Sequence, residues 1–214
     1  MSAGPVRCLL LTGLLTLTGQ SVSQADPPTA SALLSADTTL SDPKGRPLGS
    51  ASFRQAGAGM QIEVRDSGLT PGMHGLYLHE YGRCTPGVDA PTNTVVPFGG
   101  AGGHFDSGRS GNHDSPTAAN TSGHGGDLPM LMVGADGAGS LSFTTLKSSL
   151  NGTNGVLGRS LIVHAMPDNY ESDPEGLSGR RERCGVIART GTNIAGANVT
   201  GGPLGLQNYL LPGP

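Results

Sequence analysis

Apolar and polar residues alternate with a period of two over short stretches of this chain. Met60-Gln-Ile-Glu-Val-Arg-Asp66 is the clearest case. Met60, Ile62 and Val64 fall on one side, Gln61, Glu63 and Arg65 on the other, as in a strand with one buried face. Residues 51–55 predict its hairpin partner, with Ala56-Gly-Ala-Gly59 as the turn. His74-Gly-Leu-Tyr-Leu-His-Glu-Tyr81 predicts a further strand, and residues 130–133 and 140–146 a hairpin around Ala135-Asp-Gly-Ala-Gly139. Ser160-Leu-Ile-Val-His-Ala165 and Cys184-Gly-Val-Ile-Ala188 predict two more short strands. Between these lie two long irregular stretches, 82–129 and 167–183. Loops of that length inside a compact domain carry function or are tied down by something.

Composition agrees with short strands and turn-rich loops. Gly 36 and Pro 16 among 214 residues interrupt any long helix, and the absence of a Gly-X-Y period excludes collagen. A formal net charge of -3 leaves no basic footprint for nucleic acid. The first 25 residues change the picture more. Arg7 is their only charge, residues 8–17 are mostly apolar but too few to span a bilayer, and Ser23-Gln-Ala25 is a small-x-small cleavage pattern. They predict an export signal, the alternative being a buried N-terminal strand. A polar leader follows over 26–31, then one domain over 32–189. Residues 190–214 carry no charge and are expected to form a loosely ordered tail. No later apolar run is long enough for a membrane span.

Export bears on the three cysteines. Cys8 departs with the signal, leaving Cys84 and Cys184, which in an oxidising compartment most simply form one disulfide; two buried free thiols are the alternative. Without a Cys-x-x-Cys there is no thioredoxin-like chemistry to expect.

All six histidines lie between positions 74 and 164. His104, His113 and His124 fall within the first long loop, and Asp127 follows His124 by three. Three imidazoles and one carboxylate make a closed tetrahedral set suited to structural zinc, with no open position for a catalytic water. Solvated loop histidines are the bland alternative. Binding energy would order a Gly-rich loop that chain entropy otherwise disfavours. A second set shares a member: His79, His104 and His164 are placed to converge on one metal. Imidazole-rich sites suit copper, and one imidazolate links two metals through its two nitrogens. Strand parity aims Tyr77 and His79 to the same side and His74 to the other, so His74 reads as a hydrogen-bonded core residue.

Five motifs carry a resemblance: Gly68-Leu-Thr-Pro-Gly-Met-His-Gly-Leu-Tyr-Leu-His-Glu-Tyr-Gly82, Ala101-Gly-Gly-His-Phe105, His124-Gly-Gly-Asp-Leu-Pro129, Gly158-Arg-Ser-Leu-Ile-Val-His-Ala165 and Gly176-Leu-Ser-Gly-Arg-Arg-Glu-Arg-Cys-Gly-Val-Ile187. In this order, over about residues 32–189, the chain resembles copper/zinc superoxide dismutases, in particular the exported bacterial branch. The resemblance implies an all-β Greek-key sandwich or barrel of about eight antiparallel strands with two long functional loops. It implies zinc on His104, His113, His124 and Asp127, copper on His79, His104 and His164, and a disulfide between Cys84 and Cys184. It places the arginine that attracts and docks the superoxide anion at Arg181, with Arg180 and Arg183 as bland surface residues. Asp168 falls where the family keeps a carboxylate linking the copper and zinc ligands through hydrogen bonds.

One position departs from the family. Copper there has four histidines, and the fourth position here is Tyr77. Cu(II) prefers a tetragonal nitrogen field and Cu(I) fewer, softer ligands. A phenol ionises only at about pH 10, so Tyr77 predicts weakened copper binding on either of two readings: a tyrosinate ligand that favours Cu(II) and slows reduction, or a neutral phenol that leaves copper and hydrogen-bonds toward Asp168. Two functions follow from the resemblance: an exported dismutase converting superoxide to dioxygen and hydrogen peroxide, or a non-catalytic zinc-stabilised relative that binds copper weakly. The localisation expected for either is the periplasm or the extracellular space.

Overall fold

A computed structural model describes Met1, Gly4 and residues 34–190; the rest of the expected signal over 1–25 and the leader over 26–31 fall outside the described residues, as does the tail beyond Thr190. Among the described residues twelve strands run in chain order: β1 Ser35–Ser41, β2 Pro47–Ala56, β3 Gly59–Ser67, β4 Gly72–His74, β5 Leu76–His79, β6 Gly87–Asp89, β7 Thr94–Val96, β8 Leu131–Val133, β9 Ala138–Thr145, β10 Ser160–His164, β11 Arg181–Val186 and β12 Ala188–Arg189. One antiparallel sheet holds ten of them in the order β4-β8-β9-β3-β2-β1-β11-β10-β5, with β12 also on β1. Its two edge strands, β4 and β5, are consecutive in the chain, so the sheet rolls into an almost closed barrel. Gly75 lies at the seam, donating to the Met166 carbonyl at 2.9 Å and accepting from His164 N at 2.8 Å.

The all-β barrel and its hairpins match the sequence reading, with differences in the details. The stretch 74–81 is not one strand. It breaks at Gly75 because β4 pairs with β8 and β5 with β10. β1 was not anticipated: its buried positions are Ala36, Thr38 and Leu40, a pattern too weakly apolar to stand out. The first long loop is less irregular than expected, containing the β6–β7 hairpin and a 3-10 turn at Gly99–Ala101.

β5 and β10 explain where the histidines lie. Leu76, Leu78, Leu161 and Val163 enter the main core with Leu40, Phe53, Ile62 and Leu131. Strand alternation therefore sends Tyr77, His79, Ile162 and His164 to the outer face, where the two long loops cover them. All four residues of β5 are buried in consequence. The ladder sets Tyr77 opposite Ile162 and His79 opposite Ser160. A smaller cluster of Phe98, Ala101, Ile162 and Cys184 packs with Cys84 on that same outer side.

Cys84 and Cys184 are joined in a disulfide across 100 residues, fastening the first loop to β11. Loop closure of that length is worth about 4–5 kcal/mol on the chain-entropy account. Cys84→Ser is accordingly expected to lower unfolding stability by a few kcal/mol in a denaturant titration. Thiol assay of the unfolded wild-type protein, freed of its signal, should find no free thiol, and two thiols per chain would contradict this.

Candidate metal centre

Each long loop brings ligands to the outer face of β5 and β10. The first lies along the free edge of β5: Leu78 N donates to the Gly126 carbonyl at 3.0 Å, Phe105 N to that of Leu78 at 2.8 Å, and Glu80 N to that of Gly103 at 3.0 Å. Isolated β-bridges pair Tyr77 with Asp127 and His79 with His104. Gly126 is required here, since a Cβ would run into the Leu78 carbonyl. All six histidines are buried, so the loop histidines are not solvated side chains.

His104, His113, His124 and Asp127 form one set with donor atoms within 4.8 Å of one another, and His79, His104 and His164 form a second. Asp127 Oδ1 lies 3.0 Å from Nδ1 of both His104 and His113 and 3.5 Å from Nδ1 of His124. Burial opposes the Asp127 charge, yet hydrogen bonds from His104, His113 and His124 outweigh it and hold this carboxyl well below the usual range. In the second set the hydrogen bonds select the tautomer. His79 Nδ1 donates to the Gly102 carbonyl at 3.0 Å, and His164 Nδ1 lies 3.0 Å from that of Gly179. Both leave Nε2 as the lone-pair nitrogen. Nε2 of His79, His104 and His164 are all buried without a hydrogen-bond partner. Burial, His104 and the Arg181 charge push both His79 and His164 well below the ordinary imidazole range.

The sets thus fit two metals differently. The four-ligand set is complete for zinc. The three-histidine set presents three neutral imidazole nitrogens, donors that suit copper, and His104 belongs to both, Nδ1 to one and Nε2 to the other. Asp168 Oδ1 accepts from His113 Nε2 at 2.9 Å, tying the second long loop to the zinc set. His74 stays out of both: its ring nitrogens lie 2.7 Å from the His164 carbonyl and 2.8 Å from that of Thr70, pinning β4 to β10 as a core histidine.

Tyr77 joins the histidine cluster as strand parity predicted, but not as a donor. Its ring stacks on His104 with centroids 3.9 Å apart and planes at 23°, and meets His164 edge-on at 5.0 Å. The hydroxyl lies against Gly75, where an added Cβ would be 2.5 Å from it and 2.9 Å from Ser178 Cβ. The hydroxyl lies near Asp168 and Ser178 but makes no hydrogen bond of good geometry with either, and Asp168 Oδ2 is likewise buried without a partner. Burial first, then the Asp168 and Asp127 charges, push the phenol above its ordinary range, so it stays protonated.

The arginines also differ from expectation. Arg183 is not a surface residue; it is buried and pairs with Asp66 at 3.1 Å. Burial pushes the Asp66 carboxyl up to about 6 against the pull of Arg183. Arg180 is exposed and pairs with Glu182. Arg181 is 6% exposed, donating to the Phe98 carbonyl at 3.1 Å, to Asp89 at 3.3 Å and to Glu175 at 2.8 Å. Sequence reasoning missed both carboxylates, which come from β6 and the second long loop.

Similarity to known proteins agrees with this geometry. Residues 48–187 match the family model described as copper/zinc superoxide dismutase (SODC). The Cu-Zn superoxide dismutase of Deinococcus radiodurans is 52% identical over 148 residues, 69% of this chain and 81% of that protein. Among solved structures, the Cu/Zn superoxide dismutase from Brucella abortus matches with a TM-score of 0.61 and 36% identity, covering 72% of this chain and 99% of that one. A SOD-like protein from Bacillus subtilis, in a double mutant with a tyrosine and a proline each replaced by histidine, matches with a TM-score of 0.59 and 29% identity over 71% of this chain and 96% of that one. By its barrel, its two ligand sets and these similarities, the chain belongs to the copper/zinc superoxide dismutase family.

Proposed function

We propose that this protein is an exported superoxide dismutase in which zinc is held by His104, His113, His124 and Asp127 and copper by His79, His104 and His164. Residues 1–25 act as the export signal, 26–31 as a leader, 32–189 as the dismutase domain and 190–214 as an uncharged tail. The disulfide supports a periplasmic or extracellular location. The observation that carries the reading is the convergence of three buried, unpartnered imidazole Nε2 atoms beside a complete zinc set.

Copper, when bound, supplies one-electron exchange, so that one superoxide is oxidised to dioxygen and a second, with two protons, is reduced to hydrogen peroxide. The chain's own part is to hold the imidazoles neutral, to exclude bulk water, and to set the local field. Arg181 supplies the cation, but the two carboxylates Asp89 and Glu175 outweigh it, so the triad carries a net negative charge toward an anionic substrate. Glu175→Gln is therefore expected to raise the dismutation rate about two- to tenfold at low salt, an advantage that fades as ionic strength rises. Arg181→Ala leaves both carboxylates uncompensated and should lower the rate, most strongly at low salt. A Glu175→Gln variant with an unchanged rate at every salt concentration would remove Glu175 from the substrate field.

Tyr77 favours a second reading, a zinc-stabilised protein that binds copper weakly and does not turn over. Metal content of the purified protein, measured with the superoxide dismutation rate per bound copper, decides between them. Copper-dependent turnover establishes the dismutase; one zinc per chain with no copper and no turnover establishes the alternative.

A further inference from the structure

His113, His124 and Asp127 sit on a stretch without regular secondary structure, yet their donor atoms converge with those of His104. The β5 edge supports one side of that stretch. The segment just after β9 supports the other. Ser148 Oγ, in a side chain 1% exposed, donates to the Gly125 carbonyl at 2.7 Å, and Gly125 lies between the ligands His124 and Asp127. One residue earlier, the Lys147 carbonyl accepts from Asn120 Nδ2 at 2.7 Å, and the Lys147 ammonium donates to the Ser115 carbonyl at 3.3 Å. Lys147 N is itself held by Thr145 Oγ1 at 3.1 Å. Two adjacent residues therefore fasten the ligand loop at 115, 120 and 125, between His113 and Asp127.

We propose that Lys147 and Ser148 form a template that sets the zinc ligands in place before the metal arrives, with Ser148 the positioning residue for His124 and Asp127. The hydroxyl fixes the Gly125 carbonyl, and with it the direction in which the chain leaves His124 and enters Asp127. Without that bond a buried carbonyl is left unsatisfied, and the loop turns to recover a partner. Outer partners of metal ligands typically change affinity by about 10–100-fold. This rests on reading the four-ligand set as a zinc site, and is independent of copper and of turnover.

The test uses the full zinc-loaded protein and follows zinc release to a chromogenic chelator, alongside melting of the metal-free form. Ser148→Ala is expected to release zinc about tenfold faster, with Ser148→Thr, which keeps the hydroxyl, restoring release toward the wild-type rate. Asn120→Ala removes the neighbouring tie to the Lys147 carbonyl and should shift release the same way, so the test survives a Ser148→Ala variant that fails to fold. A purely structural role would lower melting of the metal-free protein and leave zinc release unchanged, and that result overturns the proposal. So does equal loss in Ser148→Ala and Ser148→Thr, which would assign the effect to packing. A wild-type protein without zinc would instead overturn the zinc reading itself, an outcome told apart by the metal content of the starting material.

Discussion

Tyr77→His is expected to raise copper affinity by at least about tenfold, the lower end of what even an outer partner of a metal ligand contributes, and to raise dismutation with it. The Tyr77 ring stacks on His104 and its hydroxyl faces Gly75 and Ser178, so the phenol fills the space of a ligand without supplying a donor. Three imidazole nitrogens leave Cu(II) short of the tetragonal nitrogen field it prefers. A histidine at 77 brings a fourth nitrogen to the cluster and a ring N–H close to Asp168 Oδ2, which now lacks a partner. In the metal-free protein the same change costs about 1–3 kcal/mol, because a smaller ring replaces a fully buried one. Metal-free stability should thus fall while copper-loaded stability rises, a crossing that generic destabilisation does not produce. Copper binding without added turnover would favour the non-catalytic reading. A fully active wild-type protein with one copper per chain would make Tyr77 a ligand or a bystander, separated by whether a tyrosinate-to-copper charge-transfer band is present.

How far the sequence reaches follows from which interactions are local. The proposed zinc set is legible because His104, His113, His124 and Asp127 fall in one glycine-rich stretch whose residue types suit a closed tetrahedron. Tyr77 and His79 are legible together because alternation on a four-residue strand leaves no freedom in which side they face. The break at Gly75 is not, since the apolar pattern runs through it and only pairing to different partners separates β4 from β5. Neither are the ion pairs. Arg183 reaches Asp66 across 117 residues and Arg181 reaches Asp89 across 92, and no periodicity links such positions. A lone serine bonded to a carbonyl, as Ser148 is, has no signature at all.

Zinc removal is expected to have the largest structural effect, opening residues 104–127 to proteolysis, and His113→Ala should do the same in the presence of zinc. His113 links more of the molecule than the other ligands: Nδ1 meets Asp127, Nε2 meets Asp168, and its backbone N donates to Asp173 at 2.6 Å. Losing it breaks the zinc tetrahedron and uncouples the two long loops together. The pH dependence should differ in sign between the two forms. Burial opposes a charged His113, yet the hydrogen bonds it donates to Asp127 and Asp168 outweigh it and raise its pKa from 6.5 to about 9. Because the folded value lies above the unfolded one, this stabilisation of the metal-free protein is complete below pH 6.5 and is lost as pH rises through 9. Zinc requires the neutral imidazole and must displace that proton, so its affinity climbs over the same interval. Between pH 6.5 and 9 the metal-free protein should therefore become less stable while zinc becomes harder to remove. Melting of both forms, with chelator competition at each pH, reads the two slopes directly. Parallel slopes would mean that His113 does not carry its proton into the metal-free fold, and that proteolytic protection of the loop has another source.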